Sequence, residues 1–409
     1  MLRSFRLGNH RSFRDEQELL LMPAMPGDER AAVPVAAIYG ANASGKSNLL
    51  DGLTYMAVGV LTSKVLGAGP RSIFRLDAQA GELPSTFVIE ILAEGTRYTY
   101  GFRAGDDAVL EEWLYAYPEK RRRVVFERTG DDLRFGSTSA NLRSKFAALE
   151  ELIRGDVLLL SFCSGLELGP LMPVYRWFER SLRIVSAEGA WAPDDVGSRV
   201  GNFLQRDARN SRRLLSLLAA ADVGIADVLA ELVDEPPSHQ HTRLLPGRVV
   251  GTGSGPRWRL RFWHGKTESP FELHDESAGT RNWLRLIPTV LDALDEGQVL
   301  VVDEIDSSLH PLLTAKLVSL FQSETTNPHG AQLVFTTHDT SLLGTMLGDA
   351  VLDRDQIWFV DKNAEGASEL YPLTDFKPRK DQNTERRYLA GSYGAVPVLG
   401  DFAEAVQGG

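Results

Sequence analysis

An α/β fold is expected, with a mostly parallel core sheet, an antiparallel β portion and an inserted helical lobe. Three observations carry that expectation. A glycine-rich loop, Gly40 to Ser47, follows an apolar run and opens a helical stretch. The apolar runs Gln298–Val302 and Gln332–Thr336 alternate with helical stretches, as parallel strands covered by helices do. In between, residues 84–136 change to short alternating segments separated by Gly-Asp, Glu-Gly and Pro turns, which reads as an antiparallel meander.

Taken in order, residues 1–22 read as two strands and a turn, with Phe5, Leu7 and Phe13 in one apolar set and Leu19 to Leu21 in another. Met22 to Arg30 is a loop rich in Pro, Gly and charge. Ala32 to Tyr39 is a short apolar run ending at glycine, the pattern of a buried strand. A helix begins at Ser47 and continues past Met56. The meander takes Thr86–Leu92, Thr96–Arg103, Leu110–Tyr117 and Arg123–Arg128. Residues 141–235 read as mainly helical, with Leu214, Leu215, Leu217 and Leu218 on one face and Ile225, Val228 and Leu229 on the next. Pro236 to Arg248 reads as a loop or linker, and Arg257–Phe262 and Pro270–Leu273 return to strand. The expected organisation is an N-terminal head part over 1–140, a helical lobe over 141–250 and a C-terminal head part over 251–409. No internal repeat, low-complexity tract or heptad run interrupts it.

Hydrophobic residues make up 43% and charged residues 24% of the 409, enough apolar chain for a sizeable core and enough charge for solubility. The single cysteine, Cys163, rules out an internal disulfide and reads as a small buried apolar residue. Met1 to Phe13 has no signal-peptide core, and no apolar run approaches the ~20 residues that span a bilayer. A cytoplasmic setting without a membrane part of its own is expected. The net charge of −11 argues against indiscriminate coating of nucleic acid. Lys120 to Arg123, and Lys377 to Lys380 followed by Arg386 and Arg387, stand as solvated faces or partner contacts, or as phosphate contacts.

Gly40-Ala41-Asn42-Ala43-Ser44-Gly45-Lys46-Ser47 matches G-x-x-x-x-G-K-[ST], after a buried strand and before a helix. Glycines Gly40 and Gly45 let the loop wrap phosphates, so that backbone N–H groups through Asn42, Ser44 and Asn48 point at them. The helix N-terminus adds partial positive charge. Lys46 reaches the β- and γ-phosphates, and the Ser47 hydroxyl is a ligand for Mg²⁺.

Val299-Leu300-Val301-Val302-Asp303-Glu304 is an apolar strand ending in adjacent carboxylates. At the C-terminal edge of a parallel sheet they face the nucleotide crevice. Asp303 is expected to hold Mg²⁺ through water, and Glu304 to orient and polarise the attacking water. No D-x-x-G stands at this strand end and no N-K-x-D guanine reader occurs elsewhere, which favours ATP over GTP.

Glu276-Ser277-Ala278-Gly279-Thr280 precedes a helical stretch from Arg281 to Leu294. A small, hydroxylated, glycine-containing turn at a helix N-terminus is a second anion site. The loop at Gly40 already has its own γ-phosphate, so Ser277 and Gly279 need a different one. After Glu304, Ile305-Asp306-Ser307-Ser308-Leu309-His310-Pro311 follows, where His310 is a helix cap or core contact on one reading and a dimer contact on the other. Leu333 to Asp339 is a buried strand ending in His338, placed to contact a γ-phosphate.

In this order the motifs resemble those of ABC-class ATPases of the SMC and OLD (overcoming lysogenization defect) branch. More narrowly they are similar to bacterial RloA-like AAA-family ATPases. The opening residues Asn9, Arg11, Ser12 and Phe13 resemble that family's first strand pair. Gln356-Ile357-Trp358-Phe359-Val360 and the run from Tyr388 to Pro397 resemble its C-terminal signature. The resemblance implies an ABC-type ATPase fold and a head-to-tail homodimer, or a higher homo-oligomer, in which Ser277 and Gly279 of one copy close over the ATP of the other. It also implies an ATPase subunit of restriction and phage-defence loci that controls a separately encoded effector, often a Toprim-type nuclease, with nucleic acid or a phage protein as a possible trigger. Three features depart from the pattern. No glutamine stands clearly in the position that links metal to the helical lobe. No long coiled coil separates Lys46 from Ser277. The stretch after His338, in which Asp353 and Asp355 read as loop charges, is too short for an appended nuclease domain.

The expected activity is therefore ATP hydrolysis with Mg²⁺, with Lys46, Glu304 and His338 in catalytic roles. Three rivals remain. A DNA-repair or DNA-clamping ATPase would act without an effector. A transporter subunit would need a membrane partner. A small-molecule kinase would leave Ser277 and His338 without a role.

Overall fold

The computed structural model describes residues 1–25, 27–62, 71–147, 155–185, 193–233, 243–245, 248–250, 257–265, 268–345, 350–377, 382–397, 400 and 406. Two large sheets organise the chain. Strands β1 (Leu2–Gly8) and β2 (Gln17–Leu20) open it. Strand β3 (Val35–Tyr39), buried at every position, then leads into helix α1 (Lys46–Thr62). The meander follows as β4 (Ser85–Ala93), β5 (Thr96–Ala104), β6 (Val109–Tyr117), β7 (Arg123–Thr129) and a further hairpin strand, β8 (Asp132–Phe135). It joins β1 and β2 in one antiparallel seven-stranded sheet of order β2-β1-β4-β5-β6-β7-β8.

Helices α2 (Ala140–Ala147) and α3 (Met172–Arg176) come next, then strand β9 (Leu182–Val185), helices α4 (Pro193–Arg206) and α5 (Ala208–Ala220), and strand β10 (Ile225–Leu232). The expected, mainly helical reading of 141–235 is thus corrected at two places. Leu182–Val185 is too short an apolar run for its period to separate strand from helix, and it pairs in parallel at the edge of the core sheet. In β10 the pairing shifts register between Ile225 and Asp227. That bulge turns both Ile225 and Val228 inward, so a strand acquires the three-residue apolar spacing of a helix.

The loop expected over Pro236–Arg248 lies mostly outside the described residues. Its end forms β11 (Arg243–Leu245), paired with β12 (Arg248–Val250). Strands β13 (Trp258–His264) and β14 (Phe271–Glu272) complete a three-stranded sheet of order β10-β13-β14. Of the basic run Lys377 to Lys380, residues 378–380 lie outside the described residues.

The C-terminal third alternates strand and helix. It runs through α6 (Ala278–Glu296), β15 (Val299–Val302), α7 (Pro311–Gln322), β16 (Gln332–Thr336), β17 (Ile357–Lys362), β18 (Ser368–Pro372) and α8 (Thr384–Leu389). The core sheet has the order β18-β17-β3-β16-β15-β9, parallel except at β18. Its side chains alternate between two layers, as the two-residue period of a strand requires. Ala36, Ile38, Val299, Val301 and Val334 pack with α1 and the seven-stranded sheet. Ala37, Tyr39, Leu300, Val302 and Phe335 pack with α6, α7 and the cluster under α4 and α5. Gln332 ties the sheets together: its amide oxygen accepts from Leu2 N (2.6 Å), and its Nε2 donates to Leu2 O (2.9 Å) and Val33 O (3.0 Å). No helix among the described residues is long and apolar enough to cross a membrane.

Candidate functional site

Strands β3, β15 and β16 run parallel and side by side, so their C-terminal ends deliver Gly40, Asp303 and Thr337 to one edge of the sheet. Crevices at such edges are where α/β sheets take ligands. The loop after β3 is tightly packed. A Cβ on Gly40 would lie 2.3 Å from Val360 O. Gly45 has φ +120° and faces the Ser368 and Ser12 hydroxyls, which a Cβ would meet at 2.3 and 2.7 Å. Lys46 is buried, and its ammonium donates to the loop's own carbonyls, Gly40 O (2.9 Å) and Ala41 O (3.1 Å). Burial lowers its pKa, while Asp303, Glu304 and Asp306 pull the other way. Asn42 is exposed at the loop tip, Ser44 Oγ is buried without a partner among the described residues, and Asn48 Nδ2 donates to Ser12 Oγ (2.7 Å).

Asp303 is buried, and its Oδ1 accepts from Ser47 Oγ (3.2 Å) and Thr336 Oγ1 (2.6 Å). The same Thr336 hydroxyl accepts from Glu304 N (2.7 Å), so one side chain sets both acids. Glu304 has φ +51°, a left-handed backbone that costs a non-glycine residue roughly 1–2 kcal/mol. Its side chain is exposed where that of Asp303 is buried. His338 N donates to the Asp306 carboxylate (3.3 and 3.4 Å). The His338 ring keeps solvent contact, yet partial desolvation, and Lys46 after it, lower its pKa against the pull of Asp306, Glu304 and Asp303.

Ser277 caps α6. Its Oγ accepts from Thr280 N (3.1 Å) and bonds the Thr280 hydroxyl (2.8 Å). Gly279 lets the helix start approach the loop after Glu304, since a Cβ there would lie 2.7 Å from Ser308 O. Asn282 Nδ2 donates to Ser307 O beside it. Among the described residues no hydrogen bond joins Ser277–Gly279 to the Gly40–Asn48 loop of the same chain. His310 caps α7, its Nδ1 accepting from Leu312 N (3.2 Å), which is the local half of the two readings open for it.

The structure brings together residues whose partnership no single stretch of sequence announces. Arg11, at φ +51°, donates through Nε to Asp51 Oδ2 (2.7 Å), which also meets His10 Nε2 (2.9 Å). Arg11, Ser12, Asn48, Phe74, Arg75 and Lys362 line a cleft of about 510 Å³ beside the loop. Burial would raise the Asp51 pKa, but the His10 bond and the electrostatic pull of His10 and Arg11 outweigh it, and the net shift is downward. Its contribution to stability is therefore present above the unfolded value of ~3.9 and lost as pH falls through the lower folded value. Asp51→Asn is expected to cost roughly 1–3 kcal/mol at pH 7 and progressively less below about pH 4. Denaturant unfolding at both pH values checks this, and a cost unchanged on acidification speaks against the pairing.

Two hard oxygen donors, Ser47 and Asp303, lie together beside a cationic loop with an orphaned hydroxyl at Ser44. That donor set fits Mg²⁺, which takes one or two protein ligands and completes its shell with phosphate and water. Among the described residues no cluster of three or more His, Cys, Asp or Glu forms a self-contained metal site.

Residues 35–344 match the family described as "AAA domain, putative AbiEii toxin, Type IV TA system". No curated protein matches the chain. Among solved structures the chain is similar to an SMC head bound to the C-winged helix domain of ScpA, at 15% identity over 92% of this chain and 99% of that one, with a TM-score of 0.48. It is also similar to the SMC head domain from Thermotoga maritima (14% identity, 91% and 98% covered, TM-score 0.42). A third is the Smc head domain with an extended coiled coil bound to the C-terminal domain of ScpA, derived from Pyrococcus furiosus (13% identity, 92% and 97% covered, TM-score 0.43).

Proposed function

From the premise that the chain belongs to this AAA-domain family of P-loop, nucleotide-binding ATPases, we propose that it hydrolyses ATP in two composite sites formed by a head-to-tail pair of chains. We further propose that the nucleotide state of that pair controls a separately encoded effector, of nuclease type, in phage defence. The observation that carries the chemistry is the Thr336 hydroxyl, which sets Asp303 against Ser47 and orders the Glu304 backbone at the same edge as Lys46. The toxin–antitoxin description of the family and the RloA-like tail support the defence setting.

In this reading Lys46 exchanges Gly40 O and Ala41 O for the β- and γ-phosphates. Ser47 and Asp303 hold Mg²⁺. When bound, the metal offsets phosphate charge during transfer. Glu304 orients the attacking water and takes its proton, and His338 donates to the γ-phosphate. The cleft lined by Arg11, Arg75 and Lys362 takes the nucleoside side of ATP. Ser277 and the backbone from Ser277 to Gly279 of the second chain close over the γ-phosphate. The Ser277–Gly279 turn, which among the described residues is hydrogen-bonded to its own helix start rather than to its own chain's loop, is what supports sharing.

The test is complementation. Ser277→Arg and Lys46→Ala are each expected to be inactive alone. Mixed in equal amounts with free exchange, half of the pairs are mixed, and each has one intact site of two. Activity should then recover to about a quarter of wild type. Phosphate release measured across mixing ratios decides, and no recovery at any ratio removes the shared-site reading.

A further inference from the structure

Glu276 stands immediately before the Ser277 turn, and its side chain is only 5% exposed. A buried carboxylate is costly unless partnered. Its partner is His264 at the end of β13, whose Nε2 lies 2.8 Å from Glu276 Oε1. Nothing in the proposed chemistry uses either residue. Helix capping does not need them, because Ser277 already satisfies Thr280 N. The position before a cap commonly carries an apolar residue that packs on the first turn, so a buried acid here is a departure.

His264 is itself held in place. Its ring meets the Phe271 ring of β14 edge-on, at 5.0 Å and 78°. Its Nδ1 lies 3.4 Å from where a Cβ on Gly224, at φ +77°, would stand, so the strand beyond approaches closely. Strand β13 is anchored below by Leu260 and Phe262 in the core with α4 and α5, and Trp258 lies over Gly201 of α4. The Glu276 carboxylate is thus pinned to a packed sheet rather than to a loop. One residue from a turn that must receive phosphate, a carboxylate without a partner would repel the ligand. The His264 bond engages that carboxylate and fixes the direction in which the chain enters Ser277.

We infer that His264 and Glu276 are positioning residues for the Ser277–Gly279 turn, and hence for the ATP held by the opposite chain. This rests on the shared-site reading above. Displacing a catalytic contact by about 1 Å can cost ~100-fold in rate, so loss of the clamp should be visible in turnover.

The experiment measures kcat for full-length His264→Leu, Glu276→Ala and the double variant, alone and mixed with Lys46→Ala. Each single variant is expected to lose about ten-fold or more in kcat. The double variant should be no worse than the worse single, since both remove one contact. His264→Gln, which keeps an N–H donor, should retain more activity than His264→Leu. Mixing either single variant with Lys46→Ala should restore activity as Ser277→Arg does, because the variant's own Gly40–Asn48 loop is intact. A merely destabilised chain would not be rescued in this way. His274→Ala, an exposed neighbour on the same segment, should remain at wild type. Glu276→Ala carries the same comparison if His264→Leu does not fold. Wild-type kcat in the clamp variants, or their failure to complement where Ser277→Arg succeeds, overturns the inference. Failure of Ser277→Arg itself to complement marks instead the failure of the shared-site reading, and the role across the pair falls with it.

Discussion

Glu304→Gln is expected to bind ATP with near wild-type affinity and to hydrolyse it roughly 10²–10⁴ times more slowly, the range a positioned general base contributes. The substitution is nearly isosteric. The backbone at Glu304 is set by Thr336 Oγ1 on its N–H and by Ser307 N on its carbonyl, neither of which involves the side chain. The side chain is exposed at the sheet edge, so no core contact is lost with its charge. In the proposed site, binding depends on Lys46, Ser47 and the loop amides, which the change leaves alone. Slow turnover with intact binding should also make the paired state accumulate in ATP, because ligand bound between two chains drives association by mass action. Equilibrium nucleotide binding and phosphate release under saturating ATP, read together with sizing, check all three outcomes. Turnover at the wild-type rate would remove Glu304 from the chemistry.

Thr336→Val should produce the second large effect. Valine keeps the shape and removes the hydroxyl. Asp303 then loses its 2.6 Å buried bond, and Glu304 N loses its acceptor in a partly buried setting. A fully buried unsatisfied group costs about 1–3 kcal/mol of stability, and the partial exposure of this amide places its loss toward the lower end. Loss of a group that orients a metal ligand typically costs 10–100-fold in metal affinity or activity. The Mg²⁺ concentration for half-maximal ATPase activity should therefore rise by ~10–100-fold. Thr336→Ser, which restores the hydroxyl, should recover most of it. A Mg²⁺ titration of the three proteins decides, and an unchanged midpoint in the valine variant would show that Asp303 needs no such support.

Thr336 also shows where sequence reasoning stops. The strand at Gln332 was legible because five consecutive residues are buried on both faces. The loop at Gly40 and the acids at Asp303 and Glu304 were legible because each chemistry sits within a few consecutive residues. A threonine closing an apolar strand has no such local sign, and its partners at 303 and 304 appear only when β15 and β16 lie side by side. The same holds for the His10–Asp51–Arg11 set and for His264 with Glu276, whose members come from different elements. Strand β10 was misread for another reason: its bulge places Ile225 and Val228 on one face, and a period count takes three-residue spacing for a helix. Strand β8, short and half charged, pairs behind the Gly130 turn without any apolar run to announce it. The cap half of the His310 reading is met, since its ring caps α7; the dimer-contact half belongs to the proposed pair.

The Gln332 tie has a consequence for the order in which the molecule is made. Strand β1 is held by a side chain 330 residues further on, and Ser47 meets Asp303 across 256 residues. At ribosomal rates of ~5–20 residues per second, a nascent chain carries its phosphate loop for roughly 10–50 s before the acid that completes it exists. During that interval β3 lacks β16 and β17, its neighbours on either side, and remains an open strand edge. A chain truncated by premature termination between these points would hold a complete phosphate loop without Asp303 and Glu304, the acids to which the proposed mechanism assigns metal binding and water activation. Non-local pairing of this kind also folds slowly. Under the proposed chemistry, hydrolytic competence therefore waits until β15 and β16 have left the ribosome and a second chain has been met.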